Sequence, residues 1–393
     1  MKRAMRAKIV RPDRLAARSR PLLRGGIAAL AVLALSACGA RPGPETLLPV
    51  ANPGPGTQQI TVLAVTDRTG TDSLPPVFGS GRGTPRYEEL TLLRRRAPPG
   101  AVPETERPAA DPSKRFVTIG RRLMSGPRFD AEVSRMAGSA GDVPITVYVH
   151  GYNYSYQEAV FRLAQLGADL GVPTVPVLFS WPSDATPVGY LADQDSATYA
   201  RDDLAQLLSR LAREHPRSDI AVIGHSMGAW LVMESLRQLR INGAAGKGTQ
   251  PLDRLHVVLA APDIDMDVFG RQADAIGPLD APMTVLVSSD DRALAASSRL
   301  AGNRTRLGQA RLDDPRLVAI SRRNKVQVMD ISSAPASDAL NHDRYIGFAA
   351  RWARLSQGGA GTDMRALGAS VLDATGRIVA APFSTAAQIV DGR

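Results

Sequence analysis

From residue 143 onward the chain alternates short, almost wholly apolar runs with longer stretches of helical periodicity. VPITVYV (143–149), TVPVLFSW (174–181), DIAVIGHS (219–226), LHVVLAAPD (255–263), MTVLVSSDD (283–291) and KVQVMDIS (325–332) each read as a buried strand. Between them, YQEAVFRLAQLGADLG (156–171) puts Val160, Leu163, Leu166 and Leu170 on one helical face ahead of a glycine stop. SATYARDDLAQLLSRLAREH (196–215) predicts one long amphipathic helix, and MGAWLVMESLRQLR (227–240) a second, with further helices around 291–300 and 343–356. Upstream, the runs at 60–68, 87–93 and 114–120 predict three more strands. Short strands buried on both faces and separated by amphipathic helices predict an α/β fold: a mostly parallel central sheet with helices on both faces. Beyond 357 the chain opens with glycines, and VLDATGRIV (371–379) predicts a strand pair.

Charge changes this picture only at the amino terminus. The formal net charge is +10, but residues 1–37 carry nine Lys and Arg against one aspartate. The body is therefore close to neutral and has no basic footprint for nucleic acid. After the basic stretch comes IAALAVLALSA (27–37), too short to span a bilayer as a helix. Residues 1–37 read as a signal peptide. Cys38, the single cysteine of the chain, directly follows LSA (35–37). This arrangement resembles the bacterial lipoprotein box. The resemblance implies that Cys38 is the acylated first residue of the mature protein, held to the membrane by its lipid chains. Gly39 in place of aspartate implies the outer membrane, facing the periplasm. Residues 38–58, rich in Pro and Gly, read as a tether. Residues 59–356 form the expected domain, and 357–393 a tail with no assigned role.

The chemistry converges on GHSMG (224–228), which fits G-x-S-x-G. A predicted strand enters the motif and a predicted helix leaves it, the nucleophile-elbow arrangement of α/β-hydrolases. The turn is tight enough that a Cβ at 224 or 228 would clash, and it presents Ser226 above a helix N-terminus. The Met227 N–H then points where an oxyanion would form. A second donor is expected from the loop HGYN (150–153), and the Tyr152 N–H is the candidate. The five histidines allow a base to be chosen by elimination. His225 lies inside the elbow and is expected to point away, His150 sits in the oxyanion loop, His215 ends a surface helix, and His256 opens a strand at its far end. His342 follows the last strand of the domain, where this fold places its base. For the acid, Asp290 and Asp291 end the penultimate strand, and Asp263, in APDIDMD (261–267), ends the one before. Trp181 and Tyr190 are candidate substrate-lining residues, and 264–282 is a candidate lid.

Together VFGSGRG (77–83), VHGYN (149–153), VLFSWPS (177–183), IGHSMG (223–228), AAPDIDMDVF (260–269), DDRAL (290–294) and NHD (341–343) resemble a bacterial α/β-hydrolase family of unknown function within the esterase/lipase superfamily. The resemblance spans roughly 58–356. It implies the hydrolase fold and mechanism, and in the family's pattern Asp291 matches the acid. The sequence-level expectation is a membrane-anchored serine hydrolase cleaving small-molecule or lipid acyl esters, with no cofactor and no metal. The same triad serves an amidase or peptidase, and a non-catalytic envelope binding protein could keep the fold.

Overall fold

The structure, a computed structural model, describes residues 41–96, 109, 111–138, 143–171, 173–245, 251–357, 370–372 and 378–379. The expected signal peptide and Cys38 lie outside the described residues. The strands are β1 (Gly56–Gly70), β2 (Phe78–Arg95), β3 (Phe116–Met124), β4 (Ile145–Val149), β5 (Val175–Ser180), β6 (Ile220–His225), β7 (Leu255–Ala260), β8 (Met283–Val287), β9 (Val326–Asp330), β10 (Ser370–Leu372) and β11 (Ile378–Val379). The helices are α1 (Gly126–Ala137), α2 (Tyr156–Leu170), α3 (Tyr190–Tyr199), α4 (Arg201–Glu214), α5 (Met227–Ala244), α6 (Met266–Ile276), α7 (Arg292–Leu300), α8 (Pro315–Asn324) and α9 (Arg344–Gln357).

All these strands join one sheet in the order β11-β10-β9-β8-β7-β6-β4-β5-β1-β2-β3. From β9 across to β1 every pairing is parallel. Antiparallel β2 and β3 extend one edge, and the predicted β10–β11 pair extends the other. The parallel core therefore ends all its strands on one side, and the βα loops there supply the chemistry.

Period-2 alternation divides the strand side chains between two cores. Leu63, Val65, Val147, Val149 and Phe179 join α1, α4, α5, α6 and α8 on one face. Val62, Ala64, Tyr148 and Leu178 join α2 and α9 on the other. Helix α2 begins and ends on local signals: a Ser155–Glu158 capping box at its start and Gly171 at φ 62° at its end.

Four expectations change. The long helix at 196–215 is two helices, α3 and α4, parted at Ala200, where ψ is −7°. The start of α3 was hidden because its buried face carries Asp193 and Ser196, so no apolar stripe announces it. Helices α1 and α8 were not anticipated. Segment 264–282 is not a lid: α6 packs between α5 and α8 and buries Met266, Phe269, Ala273 and Ile276. The tether, from Pro42, lies on the domain. Leu47 is buried, Thr118 Oγ1 donates to the Thr46 carbonyl (2.9 Å), and Gln157 Nε2 donates to that of Pro42 (2.8 Å). The buried Leu47 side chain and these hydrogen bonds together hold the segment down. Among the described residues no helix is long and apolar enough to cross a membrane.

Candidate active site

Strand β6 feeds GHSMG and α5 leaves it, so Ser226 stands at the carboxyl end of a strand flanked by β4 and β7. Its backbone has φ 55° and ψ −119°, a sparsely populated conformation for a residue with a Cβ. The surroundings enforce it. The Ser226 N–H donates to the Ala260 carbonyl (2.9 Å), and its own carbonyl accepts from the N–H groups of Ala229 (3.0 Å) and Asp263 (3.2 Å). The flanking glycines are required by close approach. A Cβ on Gly224 would lie 2.8 Å from Ala229 Cα, and one on Gly228 would lie 2.3 Å from the His150 carbonyl oxygen. Met227 opens α5, where the first N–H groups have no intrahelical acceptor and face the carboxyl end of the sheet.

The loop after β4 leans on this turn. A Cβ on Gly151 would sit 3.0 Å from Ser226 Cβ, so Gly151 lets the loop carrying Tyr152 lie against the serine. Asn153 turns the chain at φ 61°. The Tyr152 hydroxyl donates to the Pro187 carbonyl (2.6 Å), and its ring packs edge-on to Tyr190 at 5.3 Å.

His342 Nδ1 lies 2.6 Å from Asp291 Oδ2, while Asp291 Oδ1 accepts from the Leu294 N–H at the start of α7 (2.9 Å). One carboxylate thus caps a helix and holds a histidine. Burial opposes charge on His342, but Asp291, with Asp343 and Asp338 behind it, outweighs burial and raises its pKa to about 9. The other aspartates are engaged elsewhere. Asp263 accepts from the hydroxyls of Ser297 (2.6 Å) and Tyr190 (2.9 Å) and pairs with buried Arg306 (3.2 Å). Asp290 pairs with Arg344 and accepts from Ser288 and Asn341.

His225 does not point clear of the site. Its buried ring packs 4.8 Å from His342 and 4.6 Å from Tyr345. Burial, then the nearby His342, depresses its pKa to about 3, so it stays neutral. Asp343 carries a buried ion pair with Arg162 on α2 (2.7 Å), which fixes the residue next to His342. The Asp338 carboxylate accepts from the His342 N–H (3.0 Å).

Trp181 is fully buried: its indole N–H donates to the His150 carbonyl (2.8 Å) and its ring stacks on His150 at 5.0 Å. It supports the loop from behind and offers a substrate no surface, so its expected lining role fails. Tyr190 is partly exposed beside Tyr152. Sequence reasoning passed over Arg68, Arg162 and Asp343. The available signal was a charged pair, Asp67-Arg68, closing an otherwise apolar strand. Among the described residues no group of three His, Cys, Asp or Glu side chains is placed to hold a metal ion.

This arrangement is that of an α/β hydrolase, and the match to known proteins agrees. The chain belongs to the alpha/beta hydrolase family of unknown function (DUF900), whose profile matches residues 128–355. Over 61 residues it is 39% identical to an uncharacterized protein of Nostoc sp., a match covering 16% of each chain. The aligned stretch thus spans about a sixth of that relative.

Proposed function

We propose that this protein is a serine hydrolase that cleaves acyl esters and is anchored by acylated Cys38 in the bacterial cell envelope, at the outer membrane facing the periplasm. The observation that carries the catalytic reading is the 2.6 Å Asp291–His342 contact, with the His342 ring packed 4.8 Å from that of His225, the residue before a serine held in a strained strand-to-helix turn. In this mechanism neutral His342 takes the Ser226 proton as Oγ attacks the acyl carbonyl. Asp291 stabilises the imidazolium, and the N–H groups of Tyr152 and Met227 receive the oxyanion. His342 then protonates the leaving alcohol, and water releases the acyl group by the same route.

The test is covalent labelling by a fluorophosphonate probe in wild type, Ser226→Ala and His342→Ala. Labelling that needs both residues supports the reading. A folded wild-type protein that resists the probe overturns it and favours a binding protein on the same fold. Turnover of matched ester and amide substrates separates an esterase from an amidase. Metabolic incorporation of a labelled fatty acid, lost in Cys38→Ala, tests the anchor.

A further inference from the structure

Arg68, near the end of β1, is buried to 2% exposure, yet no carboxylate among the described residues pairs with its guanidinium. Its donors go to neutral oxygens on β2, at the end of β5 and in the loops after β4 and β5. Nε donates to Ser180 Oγ (3.0 Å). Nη1 donates to the carbonyls of Gly79 and Ser183 (2.9 Å each), and Nη2 to the carbonyl of Tyr154 (2.8 Å). Nη2 also lies 3.5 Å from His150 Nε2. His150 Nδ1 is 2.9 Å from the Gly151 carbonyl oxygen, so Nδ1 carries the proton and Nε2 accepts, here from Ser180 Oγ at 3.2 Å.

These contacts grip the loop after β4 at both ends, at His150 and at Tyr154. Between the grips lie Gly151, which touches the nucleophile, and Tyr152. Burying a cation without a partner carboxylate is costly. A site that must stabilise a developing anion has a use for such a charge, because fixed dipoles and charges act strongly where water is excluded. A planar fork with five donors can hold these separate oxygens at once, and lysine cannot reproduce that geometry.

We propose that Arg68 is the positioning residue of the oxyanion loop: it fixes the Tyr152 N–H against Ser226 and supplies a standing positive charge behind it. The proposal rests on the serine-hydrolase reading. At neutral pH the group keeps its charge: burial lowers its pKa only to about 10, because the carboxylates of Asp67, Asp193 and Glu158, none in contact with the guanidinium, hold it up from nearby.

The experiment compares wild type, Arg68→Lys and Arg68→Met in turnover of p-nitrophenyl acetate, in inhibition by phenylboronic acid and in Tm. The boronate becomes a tetrahedral anion on the serine and so reads the oxyanion site. Removing one oxyanion donor outright costs on the order of 10²–10³ in kcat. For a residue acting through the loop, Arg68→Lys is expected to lower kcat about tenfold, with KM within about twofold and the boronate Ki weakened in parallel with kcat. Arg68→Met is expected to lose more, having lost charge as well as fork. If Arg68→Met does not fold, Arg68→Lys carries the test. Folded Arg68→Lys with unchanged kcat and boronate Ki, or with a lower Tm alone, overturns the role of Arg68 and leaves the hydrolase reading standing. A wild-type protein that neither turns over the ester nor reacts with a fluorophosphonate overturns both.

Discussion

The Asp291 carboxylate reaches His342 Nδ1 at 2.6 Å from the strand end before the histidine's own. With its pKa raised to about 9, His342 is protonated at neutral pH and has to lose that proton before it can act as a base. In the proposed mechanism kcat/KM rises with pH as His342 loses its proton, so the acid limb should sit well above an ordinary imidazole's 6.5. A kcat/KM profile on a soluble ester from pH 6 to 10 checks this. Asp291→Asn should move the limb back toward neutrality as well as lowering its plateau.

The same shift bears on stability. A histidine whose folded pKa is raised stabilises the fold fully below its unfolded value, near 6.5, and loses that contribution as pH climbs through about 9. His225 has the opposite sign. Its folded pKa is about 3, so the unfolded chain takes up a proton that the fold refuses, and stability drops as pH falls below about 6.5. Thermal denaturation across pH should show both flanks, and His225→Phe should flatten the acid one.

Substitution of the three candidate acids separates their roles. Asp291→Asn is expected to reduce kcat by up to about 10⁴, the scale seen when a triad acid loses its charge. Asp290→Asn should leave kcat within a few-fold, since its partners are Arg344, Ser288 and Asn341. Asp263→Asn should lower Tm more than kcat, because it leaves buried Arg306 unpaired. Equal effects of Asp263→Asn and Asp291→Asn on kcat would contradict this assignment.

Gly228→Ala should fail in a specific way. The added methyl would sit 2.3 Å from the His150 carbonyl oxygen and 2.4 Å from that of Val149, both backbone atoms that cannot yield without moving β4. The expected result is insoluble protein, or a folded protein whose Ser226 does not react with a fluorophosphonate. Normal labelling of Gly228→Ala would exclude so tight a turn.

Arg162→Met tests the anchor beneath the base. Removing one member of a buried ion pair typically costs about 3–5 kcal/mol, because the remaining charge is left unpartnered. Asp343 is then stranded next to His342, and Tm should fall clearly. Urea unfolding of wild type, Arg162→Met and the doubly neutral Arg162→Met/Asp343→Asn checks the account: the double variant should recover part of the loss.

The parallel strands and the elbow were legible because burial on both faces leaves a continuous apolar run that no other element imitates at that length. Ser226 and His342 were proposed from chain order and strand ends, whereas the choice of Asp291 over Asp290 and Asp263 came from the family resemblance, and the Asp291–His342 contact at 2.6 Å is in keeping with it. The sequence was less informative where polar groups are buried. Asp193 and Ser196 broke the stripe of α3, and Trp181 read equally well as pocket or as core. Arg68 drew no notice because its partners, a hydroxyl and three carbonyls, all lie more than ten residues away. No local pattern encodes such partners. The role of Leu47 was equally hidden, since the adjacent pair Leu47-Leu48 in a Pro/Gly stretch has no periodicity to show that only the first packs against the domain.

The short β10–β11 pair beyond 357 has a consequence that follows from its place in the sheet. Strand β10 pairs antiparallel with β9, matching Val371 to Met329 and Leu372 to Val328. Without it, β9 would present a row of open amides and carbonyls at the rim of a parallel sheet, a template onto which a second molecule could add a strand. Strand β10 is thus expected to serve as a selvedge over Val328–Asp330, closing the weave there against fraying and self-association. A version trimmed after Gln357 should keep its fold and its reactive serine, yet associate in a concentration-dependent way that the full chain resists.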